Sequence, residues 1–237
     1  MKLLEMKNAS FSYDSKKMIL KGIDMEFKSG IVYGIYGKSG AGKTTLLSLL
    51  AGLEVVTDGE ILFKEQDLKK MSRDDYRAND VGIIFQSYNL LPYLTAVENI
   101  VLSMNISKLK AKNQKNKAYE FLRKVGIEKE KADRRILHLS GGEQQRVAIA
   151  RSLAYESDVI LADEPTGNLD IENEQGIMNI LKSLAREDNK CVIIISHSPN
   201  VKKQVDEVYI LEDGKLNKEE QEHQQKDKNK KEGKKVK

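Results

Sequence analysis

Short aliphatic runs alternate with helix-period stretches through much of this chain, the signature of an α/β protein with a mostly parallel sheet. Three runs matter most: Ile31 to Tyr36, Val159 to Ala162, and Val192 to Ile195. Each ends on polar chemistry, the first at a glycine-rich loop, the second at Asp163-Glu164, and the third at Ser196-His197. In open α/β sheets, ligands bind at the carboxyl ends of the strands. The pattern therefore predicts one site assembled from distant parts of the chain.

The first 30 residues read differently. Extended segments, Leu3 to Met6 and Ile23 to Phe27, flank the turn-prone Tyr13-Asp14-Ser15 and predict a small antiparallel layer. After Gln86 the period becomes helical. Ala96 to Met104 and Lys117 to Val125 both place apolar residues three and four apart, so residues 87–155 read as a mostly helical insertion. Within it, residues 107–117 (SKLKAKNQKNK) carry five lysines and no acid and read as a solvated connector, with proximity to lipid as the second option. No internal repeat is visible, so the chain holds one such unit.

Composition narrows the class. The chain has 237 residues, of which 40% are hydrophobic and 32% charged, enough for one domain with a sizeable core and a charged surface. Its longest aliphatic run is far short of the roughly 20 residues a bilayer span needs. Met1-Lys2-Leu3 opens directly into a strand-like pattern. The expectation is a chain on the cytoplasmic side. The single cysteine, Cys191, heads an apolar run and reads as a small core residue. Of the net charge of +4, residues 217–237 supply +3, from eight lysines and five acids. The remainder is close to neutral, which argues against a nucleic-acid surface. That last segment has one aliphatic residue, Val236, and reads as a disordered tail beyond a domain spanning residues 1–216.

The glycine-rich loop is GKSGAGKT, Gly37 to Thr44, which matches glycine, four residues, glycine-lysine and a hydroxyl residue. Preceded by a strand and followed by a helix, it predicts a phosphate cradle on an NTPase core of the phosphate-loop kind. Gly37, Lys38, Ser39, Gly40, Ala41, Gly42 and Thr45 would surround the phosphates, with the helix from Lys43 to Leu50 offering its positive end. Lys43 would neutralise phosphate charge and Thr44 would bind magnesium. Beside such a loop, Asp163 has work as a magnesium ligand and Glu164 as the group that orients or deprotonates water. His197 is a lone histidine, usually structural, but the same sheet edge would let it hold the γ-phosphate. Gln86, after the run Val81 to Phe85, could touch magnesium and water; spacing alone leaves that open. Tyr13 is the better candidate for an exposed ring stacked on a base, because Phe11 is expected to point inward. A second anion cradle, Leu139-Ser140-Gly141-Gly142, precedes another helical run, although one cradle is already complete.

Taken together, these residues resemble the ATP-binding subunit of an ABC transporter, over about residues 2–216. The resemblance rests on Tyr13, GKSGAGKT, Gln86, LSGGE at 139–143, VILADE at 159–164, Asp170 in NLD, and His197. It implies ATP hydrolysis with Mg2+ and a permease partner at the cytoplasmic face of a membrane. It also implies a head-to-tail dimer, in which Ser140, Gly141 and Gly142 of one copy meet ATP held by the other, with Asp170 at the same interface. VGIIFQSYNLLPYLTAVENI at 81–100, GLEVVTDGEI at 52–61 and ILADEPTGNLD at 160–170 are similar to the group serving macrolide export, lipoprotein release and bacitracin-type peptide resistance. Two other readings stand beside it. One is a soluble ABC ATPase without a permease, of the iron–sulphur assembly type, and the other is a phosphate-loop kinase.

Overall fold

The second amino-terminal strand alternates because only one face of its sheet is buried. β1 (Lys2–Phe11) and β2 (Leu20–Lys28) pair antiparallel, and along β2 the residues Leu20, Ile23, Met25 and Phe27 are buried against exposed neighbours. β3 (Val32–Tyr36) breaks that rule. All its residues are buried, because it sits in the middle of a second sheet covered on both faces. It leads through the glycine-rich loop into α1 (Lys43–Leu50). β4 (Asp58–Phe63) and β5 (Gln66–Asp67) return to the first sheet, whose order is β2-β1-β4-β5. α2 (Arg73–Asn79) then delivers β6 (Val81–Ile84) to the edge of the second.

Helices follow: α3 (Ala96–Ile106), α4 (Gln114–Lys124), the short α5 (Lys129–Ala132) and, after a 3-10 turn at Ile136–His138, α6 (Gly141–Ser152). They occupy most of the stretch predicted to be helical. The chain then runs through β7 (Val159–Asp163), α7 (Ile171–Arg186), β8 (Cys191–Ile195), α8 (Pro199–Lys202), β9 (Glu207–Glu212) and β10 (Lys215–Glu219). This computed structural model describes residues 1–14, 17–107, 113–154, 156–167 and 169–219.

The second sheet has the order β10-β9-β3-β8-β7-β6. All neighbours are parallel except β10, which pairs antiparallel with β9. Successive residues of β8 divide the core between its two faces. Val192 and Ile194 join the helical side with Met178, Leu181 and Ile149. Cys191, Ile193 and Ile195 face α1 and the first sheet, packing among Leu46, Leu50 and Phe27. The cysteine is thus a core residue, as expected. Among the described residues, no helix is long and apolar enough to cross a membrane.

Two boundaries differ from the sequence reading. α4 starts at Gln114, three residues before the predicted helix, because Asn113 adopts φ 71° and its side chain accepts the N–H of Asn116. The polar Gln114-Lys115-Asn116 turn carries no apolar period that could announce it. The predicted tail begins too early as well: residues 217–219 belong to β10. Lys218 pairs with Glu207 at 2.9 Å and Glu219 with Lys202 at 2.7 Å, so this edge strand is held by charges. Residues 220–237, and 108–112 of the lysine-rich connector, lie outside the described residues.

Parallel pairing fixes where the chemistry goes. Ile35 and Ile195 are in register, as are Ile195 with Asp163 and Ala162 with Ile84. The ends of β3, β8, β7 and β6 therefore lie on one edge, with the glycine-rich loop, His197, Glu164 and Gln86 just beyond.

Candidate active site

The phosphate loop is shaped by its own backbone. Gly42 adopts φ 100°, outside the range of ordinary residues, and a Cβ there would lie 2.9 Å from Ile19 Cγ2. Lys43 Nζ donates to the carbonyls of Gly37 at 2.8 Å and Lys38 at 3.1 Å, closing the loop over its own helix. No acid stands in the first turn of α1, so nothing opposes an anion at that end. Lys38, Ser39, Gly40 and Thr44 are exposed, while Gly37 and Ala41 are half-buried.

Thr45 is buried, and its hydroxyl lies 3.2 Å from the Tyr13 hydroxyl, so the tyrosine stands beside the first turn of α1. Tyr13 is 64% exposed and Phe11 4%, with the two rings edge-on at 4.7 Å. The inward residue is therefore Phe11. The outward tyrosine offers a ring face next to the loop.

Beyond β7, the backbone turns sharply. Glu164 has φ 47° and its N–H donates to Ile195 O at 2.9 Å, which ties the carboxylate pair to the end of β8. Glu164 Oε1 lies 2.9 Å from His197 Nδ1. The Glu164 side chain is only 13% exposed whereas that of His197 is 72% exposed. Glu164 Oε2 is buried with no protein partner, a costly state for a carboxylate oxygen and one that a hydrogen-bonding ligand would relieve. Burial, then the neighbouring Glu164, pushes the Asp163 carboxyl up from its ordinary value, and Lys43 pulls it back. A divalent cation would favour the charged form. The oxygens of Thr44 and Asp163 are hard donors of the kind magnesium prefers, so these residues fit that ion. Gln86 is exposed, and its amide nitrogen is 3.6 Å from where a Cβ would stand on Gly167, in the turn after Glu164. The Tyr36 hydroxyl, directly before the loop, is also buried without a partner.

The second cradle is built as a helix cap. Ser140 Oγ accepts the N–H of Glu143 at 3.3 Å, and Glu143 Oε2 accepts the N–H of Ser140 at 2.9 Å, a reciprocal capping box. Lys131 lies 2.7 Å from Glu143 and, with the Ser140 N–H, holds its carboxyl below the usual range. Because Ser140 Oγ accepts from the backbone, its own O–H remains able to donate to an anion. Asp170 caps α7 without a reciprocal partner, accepting the N–H of Asn173 at 2.8 Å. Among the described residues, no hydrogen bond or ion pair joins residues 139–143 to residues 37–45. The structure thus gathers Tyr13, the phosphate loop, Asp163, Glu164, His197 and Gln86 at the sheet edge, while Ser140 and Asp170 stand at the capped ends of α6 and α7.

Several contacts around the site were not anticipated from sequence. The spacing Ser140-x-x-Glu143 signals the capping box. Tyr88 and Asn89 adopt φ 60° and 51°, and Arg151 on α6 donates to both of their carbonyls, to Tyr88 O at 3.0 Å. The Tyr88 hydroxyl is 3.3 Å from the position of a Cβ on Gly141. The segment after Gln86 is therefore pinned to the helix that carries LSGGE. Nothing local announces an arginine that reaches across more than sixty residues.

A family model described as ABC transporter matches residues 20–167, which contain the phosphate loop, the capped LSGGE segment and the carboxylate pair. The chain belongs to the ABC transporter family. This ABC cassette is 41% identical over 204 residues to the uncharacterized ABC transporter ATP-binding protein YclH of Bacillus subtilis, covering 86% of this chain and 90% of that one. It is 39% identical over 223 residues to the lipoprotein-releasing system ATP-binding protein LolD of Francisella tularensis, covering 90% and 95%. It is also 36% identical over 220 residues to the macrolide export ATP-binding/permease protein MacB of Pasteurella multocida, covering 90% of this chain but 34% of MacB. Its fold matches the ATP-binding cassette MJ0796 of Methanocaldococcus jannaschii, solved as a dimer in a post-hydrolysis state bound to ADP and Pi. The TM-score is 0.83 at 33% identity, over 92% of this chain and 98% of that one. The ABC cassette is an ATPase that binds and hydrolyses ATP.

Proposed function

We propose that this ATPase drives a membrane permease as a head-to-tail pair that holds two ATP molecules between its copies. The observation that carries the reading is Glu164: half-buried at the sheet edge, fixed through Oε1 by His197, with Oε2 buried and unpartnered. A carboxylate so placed can accept a proton from attacking water without first breaking a bond of its own. Lys43 and the loop N–H groups bind the phosphates. Thr44, Asp163 and Gln86 would hold magnesium, which supplies charge compensation on the phosphates. Tyr13 would stack on adenine. The second cradle supports the paired arrangement, since Ser140 can donate its O–H to a γ-phosphate that its own loop does not reach. Asp170 would lie at the same junction.

The permease reading is supported by the name of MacB, which joins ATP-binding and permease parts, and by exposed apolar residues at and near the segment after Gln86. There Leu91 and Tyr93 are exposed, as is Leu137, next to Ile136, whose N–H donates to Leu94 O at 3.1 Å. The cargo class we favour is lipoproteins or peptide and macrolide antibiotics. Co-purification from detergent-solubilised membranes tests this. An integral membrane partner that stimulates ATP turnover is expected, and a chain that purifies only with soluble proteins would overturn the permease assignment.

Tyr13 gives a separate check on nucleotide binding. Tyr13→Phe keeps the ring and loses only the contact with Thr45, so ATP affinity should stay within about 2-fold. Tyr13→Ala removes the stacking face and should cost about 10-fold or more by nucleotide titration. Equal affinities for the two variants would remove Tyr13 from the adenine site.

A further inference from the structure

Helices α6 and α7 fit together by trading side chains for missing ones. A Cβ on Gly142 of α6 would lie 2.6 Å from Asn173 Oδ1 and 2.9 Å from its Cγ. A Cβ on Gly176 of α7 would lie 2.6 Å from Arg146 Nη2. Gly142 and Arg146 are four residues apart on one helix, and Asn173 and Gly176 are three apart on the other. Both spacings put two positions on one helical face. Each helix thus contributes one side chain and one gap, and the two contacts lie about a turn apart.

Neither inserted side chain is loose. Asn173 Nδ2 lies within 3.1 Å of Asp170 Oδ1 and 2.9 Å of Oδ2, and Asn173 N–H donates to Oδ1 at 2.8 Å. Arg146 Nη1 donates to Val125 O at 3.1 Å. A Cβ at position 142 would therefore have to displace an amide already fastened to Asp170. The gap at Gly142 faces its own chain. Glycine at this position is accounted for by Asn173, independently of how closely a phosphate approaches.

We infer that Asn173 is a positioning residue that locks the Ser140–Gly142 segment to Asp170, so that each copy presents both groups to its partner's nucleotide as one preformed unit. This rests on the head-to-tail reading above. Ser140 caps α6 and Asp170 caps α7, and the lock fixes one capped end against the other. Closure of the pair then does not have to order the two groups separately, which lowers the cost of association.

The test uses the full chain with Glu164→Gln, whose closed dimer should persist with ATP and magnesium. Dimerisation is read by sedimentation, nucleotide binding by the monomer with a fluorescent ATP analogue, and folding by thermal melting. If the Glu164→Gln parent does not dimerise with ATP, the head-to-tail reading itself fails. Given a dimerising parent, adding Gly142→Ala should weaken dimerisation about 10-fold or more and leave monomer binding within about 2-fold. Adding Asn173→Ala to that variant should recover most of the loss, although Asn173→Ala alone weakens dimerisation about 3-fold. No recovery in the double variant would overturn the lock. Asn173→Ala alone keeps the test open should Gly142→Ala fail to fold. Parent-like dimerisation by Asn173→Ala, with unchanged monomer binding, would equally sink the proposal.

Discussion

Replacing Glu164 with glutamine is expected to cut ATP turnover by about 10²- to 10⁴-fold, the range over which a positioned general base contributes. The amide matches the carboxylate in shape, so the contact with His197 can persist and the turn at φ 47° need not move. What disappears is the negative charge that, on the proposed reading, would polarise water and take its proton. ATP binding should survive or tighten, because one anion near the phosphates is gone. Asp163, whose carboxyl is pushed up partly by Glu164, would ionise more readily beside magnesium. Phosphate release and sedimentation on one preparation check both halves: slow turnover together with an accumulated ATP-bound dimer. Turnover at the parent rate would remove Glu164 from its assigned role.

Lys43→Ala should act on binding itself. An ammonium that bonds to an anion contributes about 1.5–3 kcal/mol, so ATP affinity should fall about 10- to 100-fold. The same nitrogen also ties Gly37 O and Lys38 O, and its loss would loosen the loop as well as uncover phosphate charge. Nucleotide titration separates this variant from Glu164→Gln, which should bind normally and turn over slowly. An unchanged affinity would contradict the placement of Lys43 at the phosphates.

How much of this was legible in sequence depended on whether the signal was local. Val192 to Ile195 was readable as a strand because a strand buried on both faces needs an unbroken apolar run. The phosphate loop was readable because its glycines and lysine fall within one short stretch, Gly37 to Lys43, and their roles follow from backbone geometry. Exposure of Tyr13 against burial of Phe11 followed from the polar turn in which Tyr13 stands, beyond the last residue of β1. The start of α4 was not readable, since its first turn is polar all round and is set by the left-handed Asn113. Nor were the roles of Arg151 and Asn173, whose spacing to Tyr88 and Gly142 carries no pattern and whose chemistry exists only once α6 has packed on its neighbours. Gly142 lay between these cases. Its identity marked a cradle, while the reason no side chain fits there came from another helix.

Cys191 has a practical consequence for experiment. It is the only thiol in the chain, it is fully buried in β8, and burial pushes its pKa up, so the reactive thiolate is suppressed in the folded protein. Folded wild-type chain is therefore a silent background for maleimide chemistry. A cysteine introduced on the exposed surface, at Ile171 beside Asp170 for instance, would carry a spectroscopic label alone and report the distance between two copies as they close. Labelling of Cys191 itself would register only molecules whose central sheet has opened.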